Sequence, residues 1–138
     1  MQMETLSKGN AAALEARKWL GTPFMWGQRT PGVGVDCANL VKASLEAAGT
    51  IIPREAIAAP ESDKYEEILA LLRDACDEVE LPMIPGDVVL IRIPKVRQHL
   101  AICSREGFVI HANGAGAREE ELDPRFLVYE HHVFRQKG

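Results

Sequence analysis

A cysteine, Cys37, opens a helical run, Ala38-Asn39-Leu40-Val41-Lys42-Ala43-Ser44-Leu45-Glu46-Ala47-Ala48, that Gly49 closes. Two histidines, His99 and His111, follow in segments that read as strands. A thiol at a helix N-terminus feels the positive end of the macrodipole and nearby N–H groups, which favour the thiolate. The same N–H groups can hold an oxyanion once the sulfur attacks a carbonyl. A base oriented by a second ring is what such a nucleophile needs to lose its proton. The three residues together read as a Cys-His-His hydrolase.

The same residue types could ligate zinc, but no C-x-x-C pair and no obvious fourth ligand accompany them. Cys76, at the end of an apolar helical face, reads as core. Cys103 lies four strand residues from His99, about 13 Å at ~3.3 Å per residue, and reads as packing. His131 and His132 alternate faces of a strand, so a structural role is expected. Lys42 and Glu46 read as a solvated helix face. Gly114-Ala115-Gly116 precedes no apolar helical run, so a phosphate loop is a poor reading.

The elements that must position these groups follow from the pattern along the chain. Asn10 reads as the N-cap of a helix over 11–20, with Ala12, Ala13, Ala16, Trp19 and Leu20 on one stripe, stopped by Gly21 and Pro23. Asp36 is an N-cap candidate for a second helix over 36–48, which puts Cys37 in its first turn. Residues 50–60 read as a loop. Ser62 caps a third helix to about Cys76, with Tyr65, Ile68, Leu69, Leu72 and Ala75 on its apolar face. Segments 87–93, 99–104, 108–113 and 126–135 are rich in β-branched and aromatic residues and read as strands. Helices first and strands afterwards argue for an α+β fold, helices packed on an antiparallel sheet.

A turn at Ser104-Arg105-Glu106 would set His99 opposite His111 and Ala101 opposite Val109. Opposed residues lie roughly 5 Å apart at Cβ, so the imidazoles could touch. The other face would carry Leu100, Ile102, Phe108 and Ile110 against the helices.

With 138 residues, the chain suits one domain that buries a core without staples. The net charge is −4 with no run of Lys or Arg, so nucleic acid has no electrostatic footprint. Three widely spaced cysteines argue against a disulfide framework. Residues 1–5 lack the basic patch and apolar stretch of a signal peptide, so synthesis in the cytoplasm is expected. No apolar run approaches the ~18 residues that a membrane span needs.

Residues 16–27, Ala16-Arg17-Lys18-Trp19-Leu20-Gly21-Thr22-Pro23-Phe24-Met25-Trp26-Gly27, followed by Gly34-Val35-Asp36-Cys37-Ala38-Asn39-Leu40-Val41, resemble the NlpC/P60 cysteine peptidases. Pro85-Gly86-Asp87-Val88-Val89-Leu90, Gln98-His99-Leu100-Ala101-Ile102 and Val109-Ile110-His111-Ala112 resemble three further segments of that family, in the family's order. The loop 31–37 looks most like the phage tail-associated branch, which implies tail proteins as partners and a place in a virion.

The resemblance implies a papain-like core and hydrolysis of amide bonds in peptidoglycan stem peptides, often the γ-D-glutamyl to diamino-acid bond. It carries nucleophile onto Cys37, base onto His99 and orienting residue onto His111, with no metal or organic cofactor. It sets substrate contacts at Asp36, Phe24, Trp26, Ala38 and Asn39. Phe24 stands where the family usually has Tyr, Gln28 replaces the second Gly of a pair, and Ala38-Asn39 replaces Ser-Gly. Each departure alters the pocket wall. The rival readings are an acyltransferase or amidase on the same core, and a non-catalytic tail component.

Overall fold

The computed structural model describes residues 7–53, 63–95 and 97–138. Helix α1 spans Lys8–Arg17, α2 spans Cys37–Ala47 and α3 spans Tyr65–Ala75. Strands β1 (Arg29–Thr30) and β2 (Gly34–Val35) form a small hairpin ahead of α2. A six-stranded antiparallel sheet holds β3 (Cys76–Val79), β4 (Val88–Ile91), β5 (His99–Arg105), β6 (Phe108–Asn113), β7 (Gly116–Glu121) and β8 (His131–Gln136). Its order is β3-β8-β4-β5-β6-β7. The α+β architecture expected from the sequence is the one observed.

Helix α1 starts three residues earlier than expected, because Ser7 and not Asn10 is its cap: Ser7 Oγ accepts the Asn10 N–H at 3.1 Å. Ala12, Ala13, Ala16 and Trp19 are buried, while Leu20 points out. The Ser62 cap lies outside the described residues. The observed α3 begins at Tyr65 with no side-chain cap at Lys64, and Cys76 already belongs to β3.

Alternation in the strands splits the apolar residues between two faces. Val88, Leu90, Leu100, Ile102, Ile110 and Phe134 share one cluster with α1, α2 and α3, through Ala16, Leu40, Leu45, Ile68 and Leu72. Each fully buried aliphatic side chain there contributes roughly 1.5–3 kcal/mol of transfer free energy. Val89, Ile91, Ala101, Cys103, Val109 and Val133 form a second cluster.

The Pro85-Gly86-Asp87 segment has two separate jobs. Gly86 adopts φ +90°, and a Cβ there would fall inside contact distance of Gly9 in α1, so two backbones touch directly. Asp87 is buried. It accepts a bidentate pair from Arg135 at 2.9 and 2.8 Å and the Ile84 N–H at 2.9 Å, which ties β4 to β8.

Two strand expectations are corrected. Segment 126–135 is a short 3-10 helix, Pro124–Val128, followed by β8, because Pro124 under the Asp123 cap starts a helical turn. The β5–β6 turn is Glu106-Gly107, with Gly107 at φ +80°, and not Ser104-Arg105-Glu106. Arg105 pairs with Phe108, a register shift follows, and Cys103 then pairs with Val109 and Ile102 with Ile110. The bulge moves the whole hairpin register.

Candidate active site

Carried one residue further, the observed register sets His111 beside Ala101, so the histidines are diagonal neighbours on one face and not directly opposed. Diagonal pairs stay within reach for rings. His99 Nε2 and His111 Nδ1 lie 2.8 Å apart, with ring centroids 5.0 Å apart and planes at 70°. His99 is the first residue of β5 and His111 is near the end of β6, so both rings sit at one end of the sheet.

Helix α2 delivers the thiol to the same place. Asp36 caps it: Oδ1 accepts the Asn39 N–H at 2.7 Å, while Oδ2 accepts the Gly27 N–H at 2.7 Å. The carboxylate therefore fixes the helix start and pins the Trp26-Gly27 loop beside it. Cys37, His99 and His111 line one cavity of about 350 Å³. Phe24 and Trp26, packed edge to face at 4.8 Å, also line it, and Ile93, Phe126 and the 112–114 turn complete it.

The electrostatics run against a standing thiolate. Burial pushes the Cys37 thiol up to about 11, and the charge of Asp36 adds to the rise. The N–H groups of Leu100, Ala38 and Cys37 oppose it without prevailing. Burial, helped by the charge of His111, holds His99 down at about 4. Desolvation outweighs the helix end, so both groups are neutral near pH 7. The activated thiolate expected from the sequence is not the resting state.

Three of the expected substrate contacts lie elsewhere. Asp36 is fully buried, with both oxygens spent on backbone N–H groups, and burial raises its carboxyl above the ordinary range. Asn39 is buried, and Ala38 lines a separate apolar cavity between α2 and α3, so neither lines the Cys37 cavity. Lys42, read as solvated, is buried as well: its stem lies along that second cavity, and its ammonium is 3.7 Å from Glu46. Cys76 and Cys103 are both buried. Neither His131 nor His132 lines the Cys37 cavity, and His132 sits between Glu78 and Glu130.

Sequence reasoning missed Glu120, whose Oε2 is 2.8 Å from His111 Nε2. It stands in β7, paired with Val109 and so diagonal to His111. The available signal was an acid in a charged run just past the Gly114-Ala115 turn. It also missed Ile93 and Phe126 as cavity residues. Among the described residues, no group of three His, Cys, Asp or Glu side chains is disposed to hold a metal ion. The facing nitrogens of His99 and His111 are engaged with each other.

The profile of the NlpC/P60 family matches residues 21–136. A bifunctional muramidase/DL-endopeptidase, CwlT of Bacillus subtilis, is 45% identical over 42 residues, which is 30% of this chain and 13% of that protein. NlpC1 of Trichomonas vaginalis superposes with a TM-score of 0.70 at 20% identity, covering 98% of this chain and 46% of that one. The peptidoglycan hydrolase RipB of Mycobacterium tuberculosis gives 0.66 at 19% identity, over 93% of this chain and 64% of that one. The chain thus spans less than two thirds of each of these proteins.

Proposed function

This chain belongs to the NlpC/P60 family, and from that premise we propose that it is a cysteine peptidase that hydrolyses amide bonds of peptidoglycan stem peptides. The bond is of the γ-D-glutamyl to diamino-acid type. The observation that carries this reading is one cavity lined by a thiol at a helix start and a hydrogen-bonded imidazole pair. The CwlT match, a DL-endopeptidase, and the RipB fold, a peptidoglycan hydrolase, support the substrate class.

Cys37 is the nucleophile, His99 the base and His111 the residue that orients it. The thiol at about 11 and the imidazole at about 4 differ by roughly seven pH units. Burial disfavours both charged forms and so opposes a standing thiolate–imidazolium pair. The proton therefore leaves sulfur as the carbonyl carbon is attacked, when the negative charge passes to oxygen. N–H groups at the start of α2 hold that oxyanion. His99 returns the proton to the leaving amine, and water then hydrolyses the thioester. Phe24 and Trp26 form the wall against which the substrate lies.

Digestion of purified muropeptides, read by mass spectrometry, tests the proposal. Wild type releases fragments cut after the D-glutamyl residue, and Cys37→Ala releases none. Intact muropeptides after prolonged digestion by wild type would sink it. Loop 31–37 supports the further reading that the domain acts within a phage tail. Wall clearing by tail particles that carry Cys37→Ser in place of wild type tests that reading.

A further inference from the structure

We infer that Glu120 is a positioning residue of this site: its carboxylate fixes where the protons sit along His111 and His99, and it holds the positive charge that forms when Cys37 is deprotonated. The inference rests on the hydrolytic reading of Cys37, His99 and His111 and adds a fourth member on a different strand.

The argument is a count of donors and acceptors. An ionised carboxylate only accepts, so the His111 nitrogen 2.8 Å from Glu120, Nε2, carries the hydrogen. In a neutral ring Nδ1 then accepts. Its partner at 2.8 Å is His99 Nε2, which must therefore donate. His99 is left with one lone pair, on Nδ1, free to take a proton. The opposite order would point a lone pair of His111 at the carboxylate. The tautomers are assigned from this network, and Glu120 decides them.

The same chain moves charge. The Cys37 proton passes from Sγ to His99 Nδ1, and the His99 Nε2 proton passes to His111 Nδ1. Sulfur keeps the electron pair that attacks the carbonyl, His99 ends neutral, and the positive charge rests on His111. There it faces a carboxylate at 2.8 Å, whereas charge left on His99 would sit in a ring that burial keeps neutral down to about 4. The reverse transfers return the proton to the leaving amine.

Other charged groups lie near Glu120. Arg118 on the same strand is 3.5 Å from its second oxygen. Glu121 and Asp123 line the adjoining cavity of about 430 Å³ that His99, His111 and Glu120 share, and Asp123 is held by Arg125. Glu120 itself is only partly buried, on an edge strand, so shortening it does not empty the core.

Two measurements on the intact chain test this. Long-range proton–nitrogen NMR of the imidazoles, without substrate, should show both rings protonated at Nε2 in wild type and in Glu120→Gln, whose amide oxygen still accepts. Glu120→Ala should show mixed tautomers. In muropeptide digestion, Glu120→Ala should lower kcat with little change in KM, as loss of a group that orients a catalytic imidazole does. Glu120→Gln should fall between, because it keeps the tautomer and loses the charge. Arg118→Ala should match wild type. Unchanged tautomers and unchanged kcat in Glu120→Ala would overturn the inference. A wild type that cleaves no muropeptide would instead remove the hydrolytic reading, and the NMR result would still decide the proton positions.

Discussion

Mild acid should cost this protein stability through a single buried ring, His99. In an unfolded chain a histidine titrates near 6.5, whereas in the folded protein burial and His111 hold His99 at about 4. Between those values the unfolded chain binds a proton that the native state refuses, so the sign is fixed: stability is present above about pH 6.5 and lost as pH falls toward 4. The slope is about 1.4 kcal/mol per pH unit, and the full loss is about 3 kcal/mol. Below about 4 this contribution is flat, because both states carry the charge. Glu78, Glu119 and Glu130 have lowered carboxyl pKa values, so they also lose native stabilisation as pH falls, and they do so equally in any variant that leaves them alone. His99→Gln removes the ring and nothing else that titrates. Urea unfolding followed by fluorescence of the buried Trp19, at steps from about pH 7 to about pH 4, should give a wild-type stability curve steeper than that of His99→Gln by up to one proton. Parallel curves would show that His99 is not held neutral by its surroundings, and the resting-state assignment of the site would fall with it.

Two further outcomes follow from the same geometry. Alkylation of Cys37 by iodoacetamide should be slow near neutral pH and climb about tenfold per pH unit toward its thiol value of about 11; peptide mass spectrometry after timed labelling measures it, and a rate that levels off below about pH 8 would refute it. Gly86→Ala should destabilise the fold by more than about 2 kcal/mol, since the new Cβ meets the Gly9 backbone at a positive φ; thermal unfolding measures this, and a melting temperature equal to that of wild type would contradict the backbone contact.

The elements nearest the chemistry were readable because local rules coincide there. Asp36 caps, Leu40, Val41 and Leu45 repeat at helical spacing, and Cys37 falls in the first turn as expected. The pairing of His99 with His111 survived an error in register, because a shift of two residues keeps both rings on one face. The bulge that causes the shift has no signal in Cys103-Ser104-Arg105, where three ordinary strand residues adjoin. Strand β7, Gly-Ala-Arg-Glu-Glu-Glu, has no β-branched residue and is not among the strands expected from the sequence. It is a strand because β6 offers it a ladder, and its charges suit an edge. Glu120 stayed hidden with it. The thiolate expectation failed for a different reason: sequence shows the helix end that lowers a thiol pKa and hides the burial that raises it.

The doubly engaged carboxylate of Asp36 divides the molecule into a part that cannot drift and a part that can. Its oxygens join the start of α2 to the loop behind Trp26, so loss of this carboxylate would loosen both. Under the proposed function, discrimination between one stem peptide and another falls to side chains that line the Cys37 cavity without capping α2 or bonding the histidines. Phe24, Trp26, Ile93 and Phe126 line that cavity, and of these Phe24 also packs against the helix-side core while Ile93 and Phe126 pack against the second cluster. Under the proposed function, recoding the substrate therefore starts at Trp26, the one of the four that neither hydrophobic cluster includes.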